Sequence, residues 1–120
     1  MQIKGNRFLV IGGAGFIGSH LVEQLLAEGA AQVRVYDNFS RGTCTNLEQA
    51  LRDPRAEVFA EGGDILHRDT LLRAMTGMDG VFHLAALWLL QCHEYPRSAF
   101  EVNVAGTMNV IEAVITSGVK

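Results

Sequence analysis

The segment from Val10 to His20, VIGGAGFIGSH, constrains the fold of this chain more than any other part of the sequence. Its four glycines follow the apolar run RFLVI at 7–11, whose composition is typical of a buried parallel strand. After the glycines, Ile17, Leu21 and Leu25 recur at the spacing of one helical face, and Gly29 is suited to end that helix. The segment therefore predicts a strand that turns tightly into a helix.

Strand-like and helix-like runs continue to alternate along the chain. We predict further strands at 32–36, 56–60 and 80–85, helices at 45–52, 67–76 and about 97–117, and a loop through QCHEYP at 91–96. The last helix carries one apolar stripe, formed by Phe100, Val104, Met108, Ile111 and Ile115. This alternation, with right-handed crossovers, predicts a parallel sheet covered by helices on both faces. We expect an α/β fold, a doubly wound parallel sheet of the Rossmann type with strand order 3-2-1-4.

Composition and charge exclude several classes of function. The 120 residues suffice for one domain, and their net charge of −3 without a basic run argues against a nucleic-acid partner. The longest apolar run, at 84–90, is far shorter than the roughly 20 residues of a membrane helix, and the N-terminus lacks a signal peptide. Cys44 and Cys92 form no disulfide framework, which favours a cytoplasmic protein. Cys92 and His93 have no further ligands nearby, so we expect no metal site.

The spacing of the glycines indicates what the turn binds. Gly13-x-Gly15-x-x-Gly18 overlaps with Gly12-x-x-Gly15-x-x-Gly18. Such a turn needs glycine dihedrals, and a pyrophosphate approaches the backbone only where no Cβ intervenes. The helix N-terminus then offers free N–H groups to the phosphates. The segment therefore predicts a dinucleotide-binding site.

An acidic residue after the second strand supports this interpretation. Asp37 follows Gly18 at close to the roughly 20 residues at which a carboxylate binds the adenine ribose hydroxyls. A carboxylate there repels a 2′-phosphate and favours NAD over NADP, whereas Arg41 is a residue type that accommodates that phosphate. An ordinary turn at Asp37 and a solvated charge at Arg41 are the alternatives.

Five segments, taken in order, resemble the extended short-chain dehydrogenase/reductase family. Within that family the chain most resembles the NAD-dependent sugar-nucleotide epimerases and dehydratases of the UDP-glucose 4-epimerase type. The segments are GGAGFIG at 12–18, DNFSRGT at 37–43, GGDI at 62–65, HLAAL at 83–87 and NVAGTMNVIEA at 103–113. The resemblance covers essentially the whole chain.

The resemblance implies NAD as the cofactor and assigns residues to each part of it. The diphosphate would be lined by Gly12, Gly15, Phe16, Ile17 and Gly18. The adenosine would be held by Asp37 and Asn38 at its ribose, Ser40 and Gly42 in the same loop, and Asp64 and Ile65 beside its adenine. Beneath the nicotinamide side would lie Leu84, Ala85 and Ala86, with Asn103 facing the cofactor from the last helix. His83 is interpreted as a structural residue rather than a base. Trp88 and Tyr95 either contact substrate or cover the core.

The resemblance also implies residues that this sequence does not contain. Family members use a Tyr-x-x-x-Lys pair, but no lysine follows Tyr36 or Tyr95 at that spacing. We therefore expect no catalytic residue here. The chain is interpreted as the N-terminal cofactor-binding part of such an enzyme, truncated before the fifth strand and without the C-terminal substrate lobe. It should be inactive alone.

The expected partners follow from the same interpretation. The intact parent would act on a nucleotide sugar, and this chain would self-associate through its exposed fourth strand or its last helix. Two alternatives remain open: a natural, non-catalytic dinucleotide-binding module or subunit, and a fragment of an NADPH-dependent short-chain reductase. The sequence does not distinguish an epimerase from a dehydratase or a decarboxylase.

Overall fold

The computed structural model describes all 120 residues and places four parallel strands between layers of helix. The strands are β1 (Arg7–Ile11), β2 (Gln32–Tyr36), β3 (Ala56–Val58) and β4 (Gly80–His83), in the spatial order β3-β2-β1-β4. The helical segments are α1 (Phe16–Ala27), α2 (Cys44–Leu47), a 3₁₀ turn (Ala50–Arg52), α3 (Arg68–Met75), α4 (Leu89–Glu94), α5 (Pro96–Ala99), a π-helical segment (Phe100–Gly106) and α6 (Thr107–Ser117). The predicted fold class and strand order are confirmed.

The central strand β1 is buried on both faces, because alternate side chains of a strand point to opposite sides of the sheet. Phe8 and Val10 join a cluster that includes residues of α1 and α2, whereas Leu9 and Ile11 join one that includes residues of α3 and α6. This explains why RFLVI is an almost unbroken apolar run rather than an alternating one.

The register of β1 brings three loops to one edge of the sheet. Ile11 pairs with Tyr36 of β2 on one side and with His83 of β4 on the other. All three strands therefore end at the same level. The backbone N–H of Gly12 donates to Tyr36 O at 2.8 Å, and that of Leu84 donates to Ile11 O at 2.8 Å. The glycine loop after β1 consequently lies between the loops that follow β2 and β4.

Some predicted boundaries and one predicted loop differ from the structure. Strands β3 and β4 are each two residues shorter than predicted, and the helix at 45–52 is divided into α2 and the 3₁₀ turn. The predicted loop at 91–96 is wrong, because Gln91–Glu94 lie in α4 and Pro96 begins α5. Proline is well tolerated at the first position of a helix, where its missing N–H would have had no partner.

The apolar stripe of the last helix is not its buried face. Gly106, Val110 and Ala113 face the core, whereas Phe100 and Ile115 are 60% and 75% exposed. Small residues explain this choice, since a Cβ added at Gly106 would lie only 2.6 Å from Ile65 Cδ1. The helix thus packs closely through Gly106 and leaves its bulkier residues outside.

The outer edge of β4 is partly occupied by the end of the chain. The backbone N–H of Val81 donates to Lys120 O at 2.7 Å, and that of Lys120 donates to Asp79 O at 3.3 Å. None of the helices combines the length and the apolar content that a bilayer-spanning segment requires.

An ion pair closes the turn that leads into β3. Asp53 Oδ2 accepts a hydrogen bond from Arg55 Nη2 at 2.6 Å, and Arg55 Nη1 donates to Ala30 O at 3.0 Å. Hydrogen bonds from the Arg55 side chain and backbone lower the pKa of Asp53 to about 2. The pair therefore ties this turn to the segment before β2.

This ion pair should make part of the stability dependent on acid. The folded pKa of Asp53 lies below its unfolded value, so its contribution is complete above roughly pH 4 and is lost as the pH falls further. We expect the melting temperature of D53N to fall less between pH 4 and pH 2 than that of the wild type. E94Q removes an exposed carboxylate that has no ion pair and serves as the control. Parallel profiles for D53N and the wild type would contradict the assignment.

Candidate functional site

A groove of about 550 Å³ opens at the carboxyl ends of the strands, where β1 separates β2 from β4. Ligands of open α/β sheets bind at such a position. Fourteen of the fifteen predicted site residues line it: Gly12, Gly15, Phe16, Ile17, Gly18, Asp37, Asn38, Ser40, Gly42, Asp64, Ile65, Leu84, Ala85 and Ala86. The strand register therefore brings together residues that the sequence separates by up to 74 positions.

Gly12 in the loop after β1 and Gly18 in the first turn of α1 are both required by the packing of the chain. Gly12 has a φ of +82°, which favours glycine, and a Cβ added there would lie 2.6 Å from Ala85 N. A Cβ at Gly18 would overlap with Gly12 O. The start of α1 therefore packs directly on the glycine loop.

Gly15, unlike Gly12 and Gly18, is not required by the packing of the chain. Its φ is −73°, which any residue adopts, and a Cβ added there would meet nothing nearer than Gly12 O at 3.4 Å. Of the thirteen glycines, only Gly15 has neither a positive φ nor a closer contact. It lines the groove directly before α1, whose first turn has no side-chain cap. Glycine here leaves space beside uncapped backbone N–H groups, as a ligand that approaches the helix N-terminus would need.

The carboxylate of Asp37 connects the glycine loop to the turn after β2. Oδ2 accepts from Ala14 N at 2.9 Å, and Oδ1 accepts from Phe39 N at 2.8 Å. Each oxygen keeps acceptor capacity, since an ionised carboxylate offers about four lone-pair sites. Phe39 has a φ of +56°, which is uncommon for a bulky residue and belongs to the turn that the Asp37 carboxylate closes.

Tyr36 positions the loop between β3 and α3. Its hydroxyl donates to Asp64 O at 2.7 Å and also lies 3.2 Å from Thr70 Oγ1. Burial raises the pKa of Tyr36, so the hydroxyl remains a donor at neutral pH. Asp64 Oδ1 accepts from Leu66 N at 2.9 Å, and Oδ2 has no partner within the protein. One carboxylate oxygen at the groove is therefore free for a ligand.

Asn103 does not line the groove. The sequence predicts that it faces the cofactor, but its Oδ1 accepts from Leu87 N at 2.7 Å and its Nδ2 donates to Leu87 O at 3.0 Å. Asn103 lies in the π-helical segment, and its amide thus joins that segment to the loop after β4. Asn103 thus holds the segment 84–88, which forms one wall of the groove.

His83 is also outside the groove. Its Nε2 lies 3.1 Å from Thr107 Oγ1, and burial lowers the pKa of the imidazole. These contacts join β4 to α6 and agree with the structural interpretation of His83.

Six groove residues are not among those that the resemblance assigns to the cofactor: Arg41, Asn46, Gly63, Leu87, Trp88 and Val102. Of these, the sequence suggests Arg41 only as a partner of a 2′-phosphate, and Trp88 only as a substrate contact or a cover of the core. Arg41 and Trp88 stack on each other, with the guanidinium carbon 4.5 Å from the ring centre. Arg41 lies within DNFSRGT and Leu87 within HLAAL, so those motifs contain a signal for them. Asn46, whose Nδ2 donates to Ala14 O at 2.9 Å, has no such signal.

The role of Asn103 can be tested by its removal. N103A leaves both polar backbone groups of Leu87 without their partner, which should cost about 1–2 kcal/mol of the free energy of unfolding. N103D keeps an acceptor for Leu87 N but turns a carboxylate oxygen toward Leu87 O, where two acceptors repel each other, so it should lose at least as much. Urea unfolding measures both, with Q24A on the exposed side of α1 as the control. An N103A variant as stable as the wild type would contradict the role.

The sequence matches a known protein family along most of its length. Residues 9–120 match the 3-beta hydroxysteroid dehydrogenase/isomerase family. Human sterol-4-alpha-carboxylate 3-dehydrogenase, decarboxylating, is 37% identical over an alignment of 125 positions, which covers 99% of this chain and 28% of the relative. UDP-glucuronic acid decarboxylase 6 of Arabidopsis thaliana is 35% identical over 106 residues, 88% of this chain and 29% of the relative. The chain spans less than a third of these two relatives.

Solved structures agree with this result. The dTDP-glucose 4,6-dehydratase DesIV of Streptomyces venezuelae, crystallised with NAD, has a TM-score of 0.87 and 37% identity over 94% of this chain and 37% of its own. The UDP-glucose-4-epimerase of Stenotrophomonas maltophila, also with NAD, has a TM-score of 0.85 and 30% identity over 96% of this chain and 35% of its own. The chain therefore belongs to the 3-beta hydroxysteroid dehydrogenase/isomerase family, within the extended short-chain dehydrogenases/reductases that include the NAD-dependent epimerases and dehydratases.

Proposed function

We propose that residues 1–120 form the NAD-binding part of an NAD-dependent sugar-nucleotide epimerase or dehydratase. The observation that carries the proposal is the open space at Gly15, beside the uncapped N-terminus of α1. Neither the backbone conformation nor the packing of the chain requires glycine at this position. A bound diphosphate would explain why position 15 is glycine, because the diphosphate must approach the backbone closely.

The groove residues fit a dinucleotide along its length. The first turn of α1 supplies N–H donors to the diphosphate, and Asp37 has acceptor capacity for the ribose hydroxyls. Asp64 Oδ2 is available to the adenine amino group. The apolar wall formed by residues 84–86 suits the nicotinamide side. NAD supplies a hydride acceptor, and in epimerases and dehydratases it takes a hydride from a sugar carbon transiently.

NAD is favoured over NADP by Asp37. Its carboxylate is held at the end of β2 by Ala14 N and Phe39 N, where it would repel a 2′-phosphate. The structural neighbours DesIV and the Stenotrophomonas maltophila epimerase were crystallised with NAD, which supports the same choice. Arg41 is the observation that keeps an NADPH-dependent reductase as the second candidate.

The substrate class is proposed from the structural neighbours. The name of the matching family refers to hydroxysteroids, and the relatives include both a sterol dehydrogenase and a UDP-glucuronic acid decarboxylase. The solved neighbours DesIV and the epimerase act on nucleotide sugars, as their names state, so a nucleotide sugar is the proposed substrate. Residues 1–120 contain no Tyr-x-x-x-Lys, so we expect them to bind NAD without turnover by themselves. A non-catalytic dinucleotide-binding module is the alternative.

A cytoplasmic location belongs to the same proposal. Cys44 is exposed and both cysteines are free thiols. Free thiols are maintained in reducing compartments, which supports the cytoplasm.

Substitution of Gly15 tests the proposed function. G15A should fold like the wild type, since the added Cβ has only an ordinary contact at 3.4 Å. We expect its affinity for NAD⁺ to fall about tenfold or more, because the methyl group occupies the space that the diphosphate needs. Isothermal titration calorimetry measures the affinity, and Q24A controls for changes elsewhere on α1. Unchanged affinity in G15A, or no binding of NAD⁺ or NADP⁺ by the wild type, would refute the proposal.

Self-association through the last helix is the proposed oligomeric behaviour. The exposed apolar stripe supports it, whereas the edge of β4 is partly paired with Lys120. V104E places a charge within that stripe on a residue that is 48% exposed, so folding should be unaffected. Light scattering at high concentration should show a dimer for the wild type and a monomer for V104E. A monomeric wild type would contradict this route.

A further inference from the structure

Arg41 and Trp88 meet across the groove. Arg41 belongs to the loop after β2, and Trp88 follows β4, yet the guanidinium carbon lies 4.5 Å from the centre of the indole ring. Strands β2 and β4 lie on opposite sides of β1. A contact between the two loops must therefore pass across the glycine loop that follows β1. Both residues line the groove.

The guanidinium N–H donors of Arg41 have no partner within the protein. Arg41 is the only cationic side chain that lines the groove, and it forms no ion pair and donates no hydrogen bond within the protein. Stacking on an aromatic face occupies the plane of a guanidinium but leaves its N–H donors at the edge. The Trp88 ring thus orients a positive charge near the glycine loop without consuming its hydrogen bonds.

We propose that Arg41 and Trp88 form a clasp over the groove, in which Arg41 donates to the diphosphate of the bound dinucleotide and Trp88 positions Arg41. This inference rests on the proposed NAD-binding function. Planar guanidinium groups suit phosphate oxygens, and such charge-assisted hydrogen bonds are stronger than neutral ones.

The location of the clasp argues for the diphosphate rather than a 2′-phosphate. A 2′-phosphate would lie beside Asp37, whose carboxylate is held by Ala14 N and Phe39 N. The guanidinium of Arg41 instead reaches Trp88, which follows the apolar wall on the far side of the glycine loop. This separates the inference from the NADPH alternative.

The clasp does not contribute to the core, so its removal should leave the fold intact. Trp88 is 43% exposed, and Arg41 is exposed as well. Circular dichroism and melting temperature check this for each variant. R52A removes an exposed arginine that pairs only with Glu48, and it serves as the matched control for the loss of charge.

A double-mutant cycle on NAD⁺ affinity tests the proposal. We expect R41A and W88A each to lower the affinity about tenfold, and the double variant to lose no more than R41A alone, because Trp88 acts through Arg41. W88F keeps an aromatic face and should retain most of the affinity. R41K keeps the charge but not the planar group, and it should fall between R41A and the wild type. R52A should bind like the wild type.

The same titrations contain the outcomes that overturn the inference. Additive losses in the double variant would show that Trp88 does not act through Arg41. A loss in R41A confined to NADP⁺ would assign Arg41 to a 2′-phosphate. If the wild type binds NAD⁺ and G15A weakens it while R41A does not, the clasp is rejected and the proposed function stands. A wild type that binds neither dinucleotide rejects both.

Fluorescence gives a readout that does not depend on cofactor. Trp88 is the only tryptophan of the chain, so its emission reports the clasp directly. R41A should shift the emission of the free protein, and R52A should not. Identical spectra for R41A and the wild type would show that the clasp does not form in solution.

Discussion

Direct backbone-to-backbone packing at the carboxyl edge of the sheet is the constraint on which the rest of this structure depends. A Cβ at Gly18 would overlap with Gly12 O, and one at Gly63 would overlap with Asp37 O. A Cβ at Gly42 would lie 2.7 Å from the backbone of Ala14. Each of these glycines removes a side chain at a place where two loops meet. The loops after β1, β2 and β3 therefore converge on one groove.

Side-chain hydrogen bonds then hold in place the loops that these glycines allow to approach one another. The Asp37 carboxylate joins the glycine loop to the turn after β2, and the Tyr36 hydroxyl holds the loop of Asp64. Asn103 performs the same task for Leu87 on the other wall. Gly15 differs from the other glycines of these loops, because neither its φ nor its packing requires a residue without a side chain. The frame of packed loops is explained by folding, and the open space at Gly15 is consistent with the proposed diphosphate site.

Much of this arrangement could be predicted from the sequence. Unbroken apolar runs predict the four strands, and their alternation with helices that have one apolar face predicts a doubly wound parallel sheet. The glycine spacing and Asp37 then predict the groove, since strand ends meet at one edge of a parallel sheet. These features are local, or they follow from the topology of the fold.

The features that could not be predicted from the sequence depend on contacts between segments that are distant along the chain. The pairing of Asn103 with Leu87 joins the π-helical segment to the loop after β4, and no pattern in the sequence indicates it. The burial of Gly106 against Ile65 reverses the face that the apolar stripe of the last helix suggests. The stacking of Arg41 on Trp88 joins loops that are separated by two strands and the helices between them.

The central claim is that the N-terminus of α1 binds the diphosphate of NAD. An NMR titration of the ¹⁵N-labelled chain with NAD⁺ tests it most directly. If the diphosphate binds there, the backbone amides of Gly15, Phe16 and Ile17 shift saturably, and those of Ile111 and Ile115 on the exposed face of α6 do not. Shifts confined to α6, or none at Gly15–Ile17 while NAD⁺ binds, would show that the N-terminus of α1 is not the diphosphate site.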